Sequence, residues 1–365
     1  MKYLIINSVC GIRSTGRIVS EIAERLIDEG HEVVIAFGRE QAPEKYKLIS
    51  KKIGTGVSIW FNFFQARLFD NDGFAARRAT KRFLKWADSY EPDVVWLHNL
   101  HGYYINVEML FDWLKKKENI DIRWTLHDCW SFTGHCSYFT YVNCDKWKEH
   151  CCNCEQKMEY PTSYFVDNSY NNYERKRAAF TEIESMKLIT PSQWLANLVK
   201  ISFLGNYNIE VVNNTINNKI FMPLDSDIKN RLGIYGKKMI LGVASQWQPS
   251  KGYYDFLELA KRLDDKYAIV LVGLTGRQKK KLPRNIIGIE RTNNAKELAE
   301  LYSAADLFFN PTYEDNYPTT NLEAIACGTR VLTYAVGGSP ESASENGIII
   351  NPGDIDEAMR IIYEL

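Results

Sequence analysis

"DLFFNPTYEDNYPTTNLEAIACGTRVLTYAVGG" (residues 306–338) holds a short apolar run, a polar loop, a helical stretch and a second apolar run. Runs as short as "DLFFNP" and "RVLTYA" suit strands buried on both faces, and Pro318 suits the start of the helix between them. Strand, helix, strand is the repeating unit of a parallel α/β sheet. Glu314, Asp315 and Glu323 cluster around the helix start, where free N–H groups favour anions. Such a cluster is either a helix cap or half of a ligand site.

The same alternation extends in both directions. Upstream in the second half come "KMILGVA", a helix from Tyr253 to Leu263, "YAIVLVG", "NIIGI" and a helix from Ala295 to Ala304; downstream comes "GIIIN". In the first half "YLIIN" and "EVVIAF" bracket a helix from about Gly16 to Glu29. "DVVWLHN" follows the amphipathic "FAARRATKRFLKWADSYE", and "IRWTLHD" and "KLIT" come later. The Asn-rich "NYNIEVVNNTINNKIFMPL" separates the halves, with the boundary placed near Asn217. The expected architecture is α/β, with two doubly wound Rossmann-like domains, 1–217 and 218–365, facing each other across a cleft. In such sheets ligands sit beyond the carboxyl ends of the strands.

At 365 residues two domains are expected, and a 45% hydrophobic share supplies two cores. Lys+Arg and Asp+Glu are 45 each, so no global basic field attracts nucleic acid, although a local basic patch is compatible with this balance. The apolar start is too short for a signal peptide and no run reaches the length of a membrane span, so the expected setting is cytoplasmic, with reduced cysteines.

Residues after each strand are the candidates for chemistry. "NSVCGIRSTGR" offers Arg13, Thr15 and Gly16, with Ser14 or Thr15 able to cap the next helix; it is not a G-x-G-x-x-G loop. "WLHNLHGYY" and "TLHDCW" supply His98, Asn99, His101, Tyr103, His127 and Asp128. Asp128 could fix the tautomer of His127 or raise its pKa, or merely cap the next segment. "GVASQWQPSKG" offers Gln246, Trp247 and Lys251, the last able to reach a phosphate as a point charge. Thr320 and Glu323 match a capping box; alternatively the N–H groups of Thr319, Thr320 and Asn321 hold a phosphate while Glu323 accepts from a diol.

"EDNYPTTNLEAIACGTRVLTYAVGGSPE" resembles the acid-x7-acid region of family 4 retaining glycosyltransferases with the GT-B fold. "SKG", "ELAELYSAADLFFNPTYED" and "ITPSQWLANLV" extend the resemblance over nearly the whole chain, and "HNLHGYYIN" with "LHDCWSFTGHC" fits the colanic-acid and capsular polysaccharide type. The resemblance implies a nucleotide-sugar donor on the second domain. Glu323 would hold the ribose, Lys251 the diphosphate, and Asp315, separated from Glu323 by seven intervening residues, would face the donor sugar, with Glu314 turned to solvent or a basic residue. Gln246 stands where arginine is usual, so Arg291 or Arg277 would supply the missing cation, and Pro318 replaces a common glycine. The chain ends at "AMRIIYEL", before the terminal helix expected to cross back to the first domain. His127 would act at the sugar, and Arg13, Thr15, Gly16, Asn99, His101, Tyr103 and Asp128 would form the acceptor side. The implied acceptor is a saccharide, lipid-linked, with peripheral contact at the inner face of the membrane. No catalytic metal is implied. The rival readings are a nucleotide-sugar epimerase of the same fold and a non-catalytic sugar-nucleotide-binding partner.

A cysteine-rich segment (about 129–160) stands apart. Cys136, Cys144, Cys151 and Cys154 offer four thiolates, enough for one structural zinc, with Cys152 outside the shell.

Overall fold

The computed structural model describes residues 1–343 and 346–365, and the chain divides into two units, Met1–Asn213 and Asn214–Leu365. The division falls just ahead of the Asn217 read from the sequence. The first unit holds a seven-stranded sheet of β1 (Lys2–Asn7), β2 (Glu32–Phe37), β3 (Ser50–Lys52), β4 (Val94–Leu97), β5 (Asp121–Thr125), β6 (Met186–Thr190) and β7 (Asn208–Val211). Its order is β3-β2-β1-β4-β5-β6-β7, and every pairing is parallel. Leu4, Ile5 and Ile6 of central β1 are fully buried, which is why that strand reads as an unbroken apolar run. β3 and β7 close the two edges and carry mostly polar, partly exposed residues, so they give no apolar signal.

Three helices of this unit matter below: α1 (Arg13–Asp28), α2 (Gly56–Phe69) and α3 (Arg77–Tyr90). α1 starts earlier than the expected Gly16. Its N-cap is Ile12 and makes no side-chain cap bond, so Ser14 and Thr15 lie inside the helix and do not cap it.

The second unit is a six-stranded parallel sheet of β8 (Lys238–Val243), β9 (Tyr267–Val272), β10 (Ile286–Ile289), β11 (Leu307–Asn310), β12 (Val331–Tyr334) and β13 (Ile348–Ile350), ordered β10-β9-β8-β11-β12-β13. In each unit, parallel pairing sends all carboxyl ends to one edge. The order changes direction between β8 and β11, so the loops that follow these two strands lie side by side, the usual place for a ligand.

The cysteine-rich segment packs Phe132, Phe139 and Trp147 against one another. Lys176, from the helix Ser169–Phe180, anchors it from below. Its buried Nζ, lowered to a pKa of about 7 by burial, donates to the carbonyls of Trp130 (2.7 Å) and Thr133 (3.0 Å) and lies 3.6 Å from the Trp130 ring centroid. Lys176→Met should destabilise the first unit by roughly 1–3 kcal/mol for each carbonyl left without a donor, read as a lower urea midpoint. An unchanged midpoint would show that water replaces the amine at no cost.

Candidate functional site

In the second unit the loops after β8 and β11 are joined by one lysine. Lys251 Nζ pairs with Asp315 Oδ2 at 2.8 Å and donates to the Glu314 carbonyl and to Thr312 Oγ1. The Tyr313 N–H donates to the Ser250 carbonyl at 2.8 Å. Gly252, with φ at 73°, lets the chain turn directly against Pro311; a Cβ there would lie 2.3 Å from the Pro311 carbonyl oxygen. Gly337, after β12, takes the same role beneath Asp315, whose carbonyl oxygen would lie 2.0 Å from an added Cβ. Both glycines are sites of close backbone approach, and only the first carried a signal, through its place beside Lys251.

Asp315, not Glu314, therefore faces the lysine. Glu314 is buried, so of the two expected surroundings, solvent or a basic residue, solvent is excluded. The helix Thr319–Ala326 begins after Pro318, the N-cap, and the Thr320–Glu323 capping box does not form. Glu323 is the fifth residue of that helix, is buried, and accepts from the Tyr302 hydroxyl at 3.1 Å. Asn321 bridges three elements: its Oδ1 accepts from Asn310 and its Nδ2 donates to Ser342 Oγ and the Ser339 carbonyl. Its own N–H is taken by the Pro318 carbonyl, so of the three expected phosphate donors only the N–H groups of Thr319 and Thr320 lack a backbone partner among the described residues.

The remaining donor-side residues are less concentrated. Gln246 is exposed. Trp247 is a core residue, its indole donating to the Val272 carbonyl at 2.8 Å, and leaves the candidate list. Arg277 and Arg291 are exposed after β9 and β10, one and two strands from β8, or roughly 5 and 10 Å across the sheet. Lys251 and Asp315 meet; the two arginines have no contact with either among the described residues.

In the first unit the loops after β4 and β5 interlock through histidines, in pairs the sequence did not reveal. His127 Nε2 lies 2.9 Å from His98 Nδ1, with the rings stacked. Asp128 turns away from His127: its Oδ2 lies 2.8 Å from His101 Nε2, and its Oδ1 accepts from the Trp130 N–H. His101 Nδ1 in turn lies 2.9 Å from the Tyr160 hydroxyl. Asp72, which no motif flagged, accepts from the N–H groups of Gly102 and Tyr103 and holds Tyr103 at its positive φ of 72°. Asn99 is tied through its N–H to Asn7. Gly16 is buried, its carbonyl accepting from the Gly11 N–H. Arg13 is paired with Glu40, so its charge is not a free cation at the loop.

The His98–His127 pair has one favourable proton arrangement. His98 Nε2 is buried without a partner. If His98 carries its proton on Nδ1 and donates to His127, only an acceptor lone pair is left unmet; the reverse would strand an N–H donor. His127 Nε2 is then the acceptor, and its own proton sits on Nδ1. Burial holds His98 well below the usual imidazole range and lowers His127 to about 4, so both are neutral at pH 7.

Cys136, Cys144, Cys151, Cys152 and Cys154 line one small cavity with His135 and Trp147, and all are free of disulfides. Cys136 and Cys154 perturb each other: interaction with Cys154 and burial hold the Cys136 thiol well above its usual range, and interaction with Cys136 lowers Cys154 to about 7. Among the described residues no three His, Cys, Asp or Glu side chains are arranged to hold a metal ion, and no helix is long and apolar enough to cross a membrane.

These two units define the GT-B class of glycosyltransferase folds. A structure of Anabaena Alr3699/HepE in complex with UDP-glucose superposes with a TM-score of 0.65 at 15% identity, covering 100% of this chain and 89% of that one. Residues 15–219 match Glycosyltransferase Family 4 and residues 225–365 match Glycosyl transferases group 1. The chain belongs to glycosyltransferase family 4. It is 25% identical over 294 residues to the putative colanic acid biosynthesis glycosyl transferase WcaC of Escherichia coli K12, covering 79% of this chain and 69% of the relative. To a D-inositol 3-phosphate glycosyltransferase of Mycobacterium sp. (strain KMS) it is 26% identical over 198 residues, and the match spans 50% of this chain and 45% of the relative's length.

Both buried histidines have folded pKa values below the unfolded value of about 6.5, so unfolding takes up protons at acid pH. Their contribution is fully present above that value and is lost as the pH falls towards 4. The urea midpoint of the first unit should drop across this window, and the drop should be shallower in His98→Gln. A variant profile parallel to wild type would place the acid sensitivity elsewhere.

Proposed function

We propose that the chain is a retaining glycosyltransferase that moves a sugar from a nucleotide diphosphate sugar to a saccharide acceptor, lipid-linked, in surface-polysaccharide assembly. The observation that carries this reading is the Lys251–Asp315 pair, set beside the start of the helix Thr319–Ala326 at the carboxyl edge of the second sheet. Family membership, the relation to WcaC and the UDP-glucose bound by the structural neighbour support it.

In this reading the Lys251 ammonium and the N–H groups of Thr319 and Thr320 bind the diphosphate and stabilise the charge that develops as it leaves. Asp315 fixes the lysine with one carboxylate oxygen and receives a hydroxyl of the donor sugar. Glu323, oriented by Tyr302, accepts from the ribose. His127, neutral and with Nδ1 protonated, hydrogen-bonds to the transferred sugar. The acceptor hydroxyl attacks on the face the diphosphate vacates, which retains the anomeric configuration, and the departing diphosphate takes the proton.

We also propose that Cys136, Cys144, Cys151 and Cys154 take up one structural zinc. Support comes from the shared cavity, the absence of disulfides and the closely spaced Cys151 and Cys154. Bound by all four thiolates, the metal would cross-link and rigidify the segment. Protein purified without added zinc should carry about one equivalent, and chelation should lower the stability of the first unit. Metal-free protein of unchanged stability would refute the site.

The donor site is tested by separating diphosphate from nucleoside binding. Lys251→Ala should weaken the nucleotide diphosphate by roughly 10- to 150-fold, the equivalent of about 1.5–3 kcal/mol, and leave the nucleoside nearly unaffected. Asp315→Asn should cut acceptor-dependent transfer by about two orders of magnitude or more with donor still bound, while Glu314→Gln stays within a few-fold of wild type. Equal losses for both ligands, or transfer that depends on Glu314 and not on Asp315, would overturn the assignment.

A further inference from the structure

α2 buries one side and leaves the other unexplained. Asn62 and Ala66 face the protein, and Phe63 packs edge-on against Tyr103. Val57, Trp60, Phe61 and Phe64, at helical spacing i, i+3, i+4 and i+7, form a second apolar stripe that faces outward, 80%, 63%, 59% and 44% exposed. A helix apolar on both sides is ordinarily enclosed on both sides. The outer stripe is continued by the Tyr164–Val166 loop. The Tyr164 N–H donates to the Arg67 carbonyl at 2.8 Å, the Arg67 guanidinium lies over both Phe63 and Tyr164, and Phe165 is 73% exposed.

The neighbouring helix supplies charge of one sign over its first nine residues, Arg77–Lys85, with the acid Asp88 near its far end paired to Lys117. Ala76, the N-cap of α3, donates its N–H to Asn62 of α2, so the start of α3 lies against α2. Arg77, Arg78, Lys81, Arg82 and Lys85 are all exposed along α3, and among the described residues Arg78, Lys81, Arg82 and Lys85 make no ion pair. From Gly56 to Ala87 the only acids are Asp70 and Asp72, both buried, the first against His135 and the second on the Gly102 and Tyr103 N–H groups. Glu159 in the preceding loop and Asp167 directly after Val166 are exposed acids, outnumbered by these cations.

We infer that α2, the Tyr164–Val166 loop and the start of α3 form a docking surface for an anionic lipid bilayer. α2 lies in the headgroup plane with its outer stripe in the acyl boundary and the α3 cations on anionic headgroups. At 14 residues α2 is about 21 Å long, suited to lying in the interface and too short to span it. Trp, Tyr and Phe are the side chains that settle at that depth. A second copy of the chain fits less well. A two-fold contact through α2 would bring the unpaired α3 cations of the two copies together. The surface is independent of the reaction assigned above, and its failure would leave that assignment standing.

The test is flotation of the full chain with phosphatidylcholine vesicles, with and without phosphatidylglycerol, at low and high salt. Binding to the anionic vesicles should exceed binding to the neutral ones by about tenfold at low salt and fall at high salt. Trp60→Ser/Phe61→Ser/Phe64→Ser should lose binding to both vesicle types by about tenfold or more. Arg78→Glu/Lys81→Glu/Arg82→Glu should lose only the anionic preference. Both variants should keep the wild-type thermal midpoint and nucleotide affinity, since the substituted side chains are exposed and the donor residues belong to the other unit. Wild-type protein that ignores vesicles, or a serine variant that floats like wild type, would overturn the inference. So would a dimer in sedimentation that the serine variant dissolves, which would give the face to a second copy.

Discussion

The Lys251 ammonium holds together two loops that the sheet alone would only place side by side. Parallel pairing brings the ends of β8 and β11 next to each other, but a loop end is free to move by ångströms. Three contacts from one Nζ, to the carbonyl of Glu314, the carboxylate of Asp315 and the hydroxyl of Thr312, fix the second loop against the first. Gly252 and Gly337 are what make that geometry reachable, because any side chain at either would occupy the space of a backbone carbonyl. Asn321 then ties the far side of the same loop to the helix Ser339–Ser342. A charge held this way loses little freedom when a ligand binds, so less of the binding energy goes into ordering it.

Much of this was legible before any coordinates. The strand runs of both halves are apolar because both faces of each sheet are covered, and the spacing from Glu323 back to Asp315 selected the acid that faces Lys251. What misled was local pattern without tertiary context. Thr320 and Glu323 have capping-box spacing, but the helix begins at Thr319 after Pro318, which leaves Thr320 inside it. Trp247 follows a strand like a ligand contact, yet its indole meets a core carbonyl. Edge strands β3 and β7 have no hydrophobic partner on their outer side, and so no apolar run to announce them. α2 was passed over because a helix apolar on two faces has no periodicity to detect, and that same property defines the docking surface.

The histidine loops show a different limit. Sheet order β1-β4-β5 already requires the segments after β4 and β5 to meet, so the company of His98, His101, His127 and Asp128 follows from topology. Their pairing does not. Beyond β5 the chain bends at Asp128, and His127 and Asp128 each find a partner on the neighbouring loop, His98 for one and His101 for the other. Asp128 hydrogen-bonds to His101; burial lowers the His127 pKa most, and the charge of Asp128 still raises it against that larger effect. Support from a neutral imidazole also differs from support by a carboxylate, since it fixes the proton position on His127 without raising its basicity.

The two candidate sites are consequently held by different chemistry. In the second unit the grip is an ammonium on a carboxylate and on backbone carbonyls, and the unit contains no histidine. All six histidines of the chain lie in the first unit, where His98, His101 and His127 carry the contacts between loops. A change of pH through the weakly acid range therefore acts on the first unit through groups the second does not possess. Protonating His127 on Nε2 would break its N–H···N contact with His98, because a cation cannot accept from His98. The acid-side loss of any function that depends on His127 is thus a loss of geometry together with a change of charge, while the lysine-centred contacts of the second unit contain no group that titrates as an imidazole does.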